Sequence, residues 1–229
     1  MAAAFAGPAA GGIMIGINFV GKVGYTAEMG TLETAGVEPQ SHWNNATTGT
    51  GTLGSLVADD GTATGISVTW RGRTAYNGIT DTAGNNRMMR GYLAQLGTES
   101  VTVTVSGLAS FFPVGCDIFV YFDGANSASA HVTEFTIGAT TIAGTDLAGT
   151  DYSGVFVQDI GSGGNYVRFE DVTGDAFTLS AAPRADGVSS AAVNAVQIMH
   201  APEPATLGLA GFGLALLLGG RRHPGKGAP

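Results

Sequence analysis

Short runs of alternating apolar and polar residues recur along this chain. Val101, Val103 and Val105 alternate with Thr102 and Thr104, and Ile66, Val68 and Trp70 alternate with Ser67, Thr69 and Arg71. A period of two sends successive side chains to opposite faces, so both runs predict half-buried strands. Ile13 to Val20 is mostly apolar and reads as the first strand. Cys116 to Phe122 is β-branched and aromatic and reads as a strand buried on both faces. Shorter runs follow: HVTEFTI at 131–137, TTIA at 140–143, GVFVQDI at 154–160, NYVRFE at 165–170, DAFTLSA at 175–181 and AAVNAVQIM at 191–199. Asp59-Asp60-Gly61 and Asp123-Gly124 are turn signals. Residues 30–54 and 74–87 are rich in Gly, Asn and Thr and read as long loops. Met88 to Leu96 reads as a short helix or an irregular segment. About ten short strands at roughly even spacing predict an all-β fold, a single jelly-roll-like sandwich over residues 13–200. No stretch reads as a helix long enough to cover a sheet, which argues against an α/β fold.

The pattern changes after His200. Pro202-Glu203-Pro204 is followed by 16 residues, Ala205 to Gly220, with no charge and one hydroxyl. Ala205, Leu207, Phe212, Leu214, Leu218 and Gly220 lie in this segment, and Arg221 and Arg222 close it. As a helix it would reach about 24 Å, short of a hydrocarbon core of ~30 Å. It is apolar all round rather than on one stripe, which favours a short membrane span over a core helix. The arginines behind it fit a cytoplasmic C-terminus. This order of parts resembles the PEP-CTERM sorting signal of Gram-negative bacteria. The resemblance implies that residues 201–229 are a sorting signal with Pro202, Glu203 and Pro204 as its motif. It also implies an exosortase-type membrane peptidase as partner and transient anchoring in the inner membrane. The cell surface or extracellular matrix would be the destination. One departure is the basic end, which runs on as HPGKGAP.

Composition narrows the partners. Of the 10 basic residues three lie in the tail, and of the 18 acidic residues only Glu203 does, so residues 1–200 carry 7 − 17 = −10. That charge argues against nucleic acid, whose phosphates need Lys and Arg. Cys116 is the single cysteine; it permits no intrachain disulfide and sits in an apolar run, as a buried inert thiol would. Residues 1–12 have the small residues of a signal-peptide end without its basic start. They are expected to be a signal remnant or a disordered start, with the true start codon upstream and cleavage near Ala9-Ala10.

Candidate chemistry is sparse. Gly49 to Gly54 spells G-x-G-x-x-G, but a polar loop precedes it where a dinucleotide site needs a strand. His42, His131, His200 and His223 form no close ligand pair. No G-x-S-x-G elbow occurs, although a Ser-His-Asp site has members scattered in sequence. No cofactor is expected beyond a structural calcium ion. Calcium takes carboxylate and carbonyl oxygens from loops, and Asp59, Asp60, Asp151 and Asp171 are the candidate ligands, set against the plain use of Asp in turns. Trp43 reads as a core residue before a sugar platform. Asn45-Ala46-Thr47 is a chance sequon.

IGINFVG at 15–21, HWNN at 42–45, MRGYL at 89–93, TVTVSGL, CDIFVYFDG, GGNYVRFEDVTGDAFTLSA at 163–181 and VNAVQIM at 193–199 resemble the ectodomains of many PEP-CTERM proteins. Their ordering is similar to galactose-binding-like and malectin-like sandwiches. The resemblance implies a fold and carries over no ligand. Three functional readings follow. The favoured one is a non-enzymatic surface or matrix protein. The alternative is a carbohydrate-binding module for matrix polysaccharide, in which Trp43, Tyr76 or Tyr92 stacks on sugar rings. Behind both stands a glycoside hydrolase, which needs two carboxylates about 5–10 Å apart in a cleft.

Overall fold

The computed structural model describes residues 13–95, 99–186 and 189–201. Fourteen strands and one helix form there: β1 (Ile15–Phe19), β2 (Asn44–Ala46), β3 (Thr50–Leu53), β4 (Ser67–Arg71), β5 (Arg73–Tyr76), α1 (Asn85–Arg90), β6 (Gly91–Ala94), β7 (Val101–Ser106), β8 (Cys116–Tyr121), β9 (His131–Ile137), β10 (Thr140–Asp146), β11 (Tyr166–Val172), β12 (Ala176–Pro183), β13 (Ala192–Val193) and β14 (Ala195–His200). They make a five-stranded sheet in the order β11-β8-β14-β1-β2 and a six-stranded sheet in the order β10-β9-β12-β7-β4-β3; a three-stranded sheet, β13-β6-β5, completes the set. From β7 to β12 the chain passes between the two large sheets at every connection except β9–β10, a winding of the jelly-roll kind.

The two large sheets share one core. Ile15, Ile17, Val120, Val196 and Ile198 from the first meet Val68, Val103, Val105, Phe135 and Leu179 from the second, all buried. The alternation read at Val101 to Val105 is the face of β7 in that core; its threonines lie on the other face, where Thr104 Oγ1 meets Thr178 Oγ1 at 2.9 Å. The five-stranded sheet is covered on its second face as well. Trp43, Met88, Met89, Phe119, Tyr121 and Ala195 form a second buried cluster there, which is why β8 reads as apolar on both faces.

Several expectations need correction. The stretch 30–54 holds β2 and β3, and β5 opens the stretch 74–87. Asn44 and Asn45 are loop residues by propensity, yet their side-chain amides extend the ladder. Asn44 donates to the Gly16 and Val57 carbonyls and accepts the Val57 N–H, each within 2.8–2.9 Å. Asn45 donates to the Met29 carbonyl and accepts the Met29 N–H at 2.9–3.0 Å, and its Oδ1 also accepts from the Asn18 amide at 2.9 Å. The stretch from Met88 divides into the end of α1 and the strand β6, which ends at Ala94; Leu96 lies outside the described residues. GVFVQDI at 154–160 forms no strand; it holds one isolated bridge, Gln158 to Tyr166. Polar side chains fix it as a loop. Asn165 accepts the Val157 N–H and donates to the Val155 carbonyl, both at 2.9 Å. Asp159 accepts from Gly161, Gly163 and Thr145.

Among the described residues no helix is long and apolar enough to cross a membrane. The expectations for residues 1–12 and for Pro202 to Arg222 lie outside the described residues.

Candidate functional site

Three places in the fold bear on function: the junction with the tail, an acidic recess, and a recess lined by cations and tyrosines. The junction is simplest. β14 lies at the centre of the five-stranded sheet, antiparallel to β1 on one side and β8 on the other. Its last residue, His200, still pairs with Cys116, and its ring lies 4.9 Å from that of Phe112. Only Ala201 separates this strand from Pro202. Proline fixes its own φ, lacks a donor and steers the preceding residue away from helix. Among the described residues pairing ends at His200, two residues before Pro202 in sequence.

The acidic recess is built by a turn and a loop. Asp123 follows β8 and is 3 % exposed. Its Oδ2 accepts the Tyr152 N–H at 2.9 Å and the Asn77 amide at 3.2 Å. Burial pushes its carboxyl up to about 8, and the nearby charges of Asp146 and Asp151 add to the effect. Asp146, at the end of β10, is also raised, first by burial. It accepts the Gly124 N–H at 3.0 Å. All three aspartates line a recess of about 250 Å³ with Leu147, Val157 and Asn165. Asp151 Oδ1 is buried there without a hydrogen-bond partner.

The expected calcium ligands do not converge. Asp59 accepts the Met14 N–H at 2.8 Å, and Asp60 the Thr62 N–H at 2.8 Å; the latter bond holds the Asp60 carboxyl below the usual range. Asp171 sits at the irregularity of β11 with φ 53°, its N–H bound to buried Asp117 at 3.0 Å. Asp151 alone joins a carboxylate cluster. Among the described residues no three His, Cys, Asp or Glu side chains form a metal-holding group.

Among the described residues His42 and His131 are held structurally. His42 Nδ1 lies 2.9 Å from the Asp59 carbonyl. His131 Nδ1 bonds the Ser190 hydroxyl. Asp146 stands opposite His131 in register and feels its charge, but spends its carboxylate on Gly124. Cys116 is buried, and desolvation pushes its thiol up to about 12.

The third place answers the question of sugar-stacking aromatics. Trp43 is 5 % exposed and Tyr92 is 7 % exposed. The Trp43 indole lies against Gly16, where an added Cβ would come within 2.6 Å of the ring. The Tyr92 hydroxyl accepts the Ala125 N–H at 3.1 Å. Both rings are buried: Trp43 is the core residue that its sequence reading favoured, and Tyr92 is corrected as a platform. Tyr76 differs. It ends β5, the edge of the three-stranded sheet, and stacks on Tyr25 with ring centroids 4.5 Å apart and planes at 21°. Tyr25 is 49 % exposed. It comes from a turn in which its N–H bonds the Lys22 carbonyl at 3.1 Å. Gly24, with φ 86°, takes the position that needs a left-handed residue. Arg90 Nε holds the Tyr25 carbonyl at 2.8 Å. The Lys22 ammonium lies 4.7 Å from the Tyr25 ring centre and 5.9 Å from that of Tyr76.

Lys22, Arg73, Thr74, Ala75 and Tyr76 line a recess of about 400 Å³. Arg73 also lines a neighbouring recess of about 290 Å³ with Tyr92, Gln95 and Ser190. Tyr25, Lys22 and Arg73 carry no motif in sequence. The signal that could have found them was the shortage of cations in so acidic a body.

Comparison with known proteins locates one family. The model described as the PEP-CTERM protein-sorting motif matches residues 200–222. The chain thus carries that motif, which implies export, membrane-associated sorting and an exosortase as processing enzyme. The match begins on the last residue of β14 and ends at Arg222, leaving His223 to Pro229 outside it. No curated protein and no solved structure matches the chain.

Proposed function

We propose that this chain is an exported protein displayed at the cell surface or in the extracellular matrix of a Gram-negative bacterium. An exosortase-type peptidase at the inner membrane reads its tail first. In this reading the body acts by being displayed and not by catalysis. One observation carries the proposal: the sorting motif starts where the central strand of the five-stranded sheet ends. Among the described residues every strand therefore lies before the tripeptide.

The test is to replace Pro202-Glu203-Pro204 by three alanines and follow the protein in its host by fractionation and mass spectrometry. The wild type is expected to lose peptides from Leu207 to Pro229 once it leaves the inner membrane. The variant is expected to keep them and accumulate in that membrane. Wild-type protein outside the inner membrane with its tail intact, or normal processing of the variant, replaces this reading with a plain membrane anchor.

A further inference from the structure

We propose that Lys22, Arg73, Tyr25 and Tyr76 form a binding site for a carboxylated glycan, an oligosaccharide bearing uronic acid groups. This goes beyond display, which assigns the body no ligand.

Charge carries the first part of the argument. The body has seven cations. Arg71, Arg87, Arg168 and Arg184 each face a carboxylate. Arg90 is spent on the carbonyls of Tyr25 and Ile79. Lys22 and Arg73 have no carboxylate partner among the described residues, and they line the same recess. In a chain of formal net charge −8, two unanswered cations at one place reverse the local sign. No Asp or Glu lines either recess. Asp123 and Asp146 reach the second recess only through their effect on Tyr92, and carboxylates beyond about 8 Å are screened at physiological ionic strength. A ligand carboxylate would gain charge-assisted bonds here, and arginine's planar fork suits it in particular.

Ring chemistry carries the second part. The stacked tyrosines form an apolar surface with polar rims, and Arg90 holds the turn that carries Tyr25 through the Tyr25 carbonyl. Aromatic side chains supply such area at little cost in side-chain freedom, and the C–H face of a pyranose is an apolar surface of matching kind. Arg73 joins this recess to the next, where Gln95 and Ser190 offer donors and acceptors to hydroxyl groups. The site therefore runs over more than one sugar unit. A neutral glycan would leave both cations unpaired. An acidic peptide would pair them and leave the ring surface unused.

The test is isothermal titration of the full chain in non-ionic detergent with tetragalacturonate, its methyl ester and tetraglutamate. Tetragalacturonate is expected to bind. The ester should bind about tenfold more weakly or not at all, as befits loss of a charged hydrogen bond, and tetraglutamate should also be weaker. Tyr76→Ala should lower the affinity about tenfold, and the double variant Lys22→Gln/Arg73→Gln should lower it further; the last two residues are exposed, so the fold is not disturbed. No binding of tetragalacturonate, equal binding of the ester or of tetraglutamate, or full affinity in the double variant overturns the proposal. Sorting plays no part in this measurement, so its failure leaves the reading of the tail untouched.

Discussion

Asp123→Asn should make the body more stable at pH 8 and leave it nearly unchanged at pH 4. Asp123 is 3 % exposed, and its carboxyl titrates near 8 instead of the ordinary 3.8, chiefly because burial opposes its charge. Between those values the folded state keeps a proton that the unfolded state has released. Stability therefore falls as pH rises, by about 1.4 kcal/mol per pH unit. From about pH 4 to pH 7 the loss is on the order of 4 kcal/mol. It reaches its full size above about pH 8 and vanishes below the unfolded value. The groups facing Asp123 worsen its ionised form: Asp146 from the end of β10 and Asp151 from the loop behind it, both acidic. Asparagine carries no charge, and its carbonyl oxygen can accept the same bonds from Tyr152 and Asn77. The assay is urea unfolding at pH 4, 6 and 8 on a chain truncated after Ala201, wild type beside variant. The difference between the two should open steadily with pH. Parallel stability curves across this range would refute the reasoning.

Gly16→Ala should cost about 1–3 kcal/mol, the usual range for forcing a methyl into filled space. Its Cβ would lie 2.6 Å from the Trp43 ring and 2.5 Å from Gln40 Nε2. Urea unfolding and tryptophan emission check this; an unchanged midpoint and spectrum would mean that Trp43 does not lie on β1. Cys116, with its thiol raised to about 12 by burial, should resist iodoacetamide at pH 8 in the folded protein and react fully in urea. Mass spectrometry reads the adduct, and rapid labelling without denaturant would contradict the packing of β8.

Legibility from sequence followed the physics of each segment. β7 and β9 were readable because a period of two needs no tertiary information, and HVTEFTI is β9 residue for residue. β2 was not, because Asn44 and Asn45 are loop formers whose role depends on partners 13–28 residues away. GVFVQDI misled in the other direction. Its apolar residues fit a strand, but Val155 and Ile160 are exposed at 62 % and 84 %, and Asn165 holds the backbone as a loop. AAVNAVQIM was read as one strand and breaks at Asn194. That side chain is fully buried and bonds the carbonyls of Met89, Gly91 and Asp123 as well as the Asp123 N–H. A lone amide inside an apolar run was the visible signal. The tail was legible because its three parts are contiguous. The tyrosine recess was not, since it joins a turn at 22–25 to a strand at 73–76.

The position of β14 also decides how the body meets mechanical load. Any pull on the tail, from a translocating membrane or a peptidase drawing in its substrate, enters the fold at His200 and runs along the axis of that strand. Antiparallel neighbours on both sides hold it by bonds that lie across the pull, so they must slip together rather than open one at a time. An edge strand in the same place would peel. Resistance of this kind is a matter of unfolding rate and not of equilibrium stability. If the tail is processed as proposed, the body should stay folded while load is applied through it.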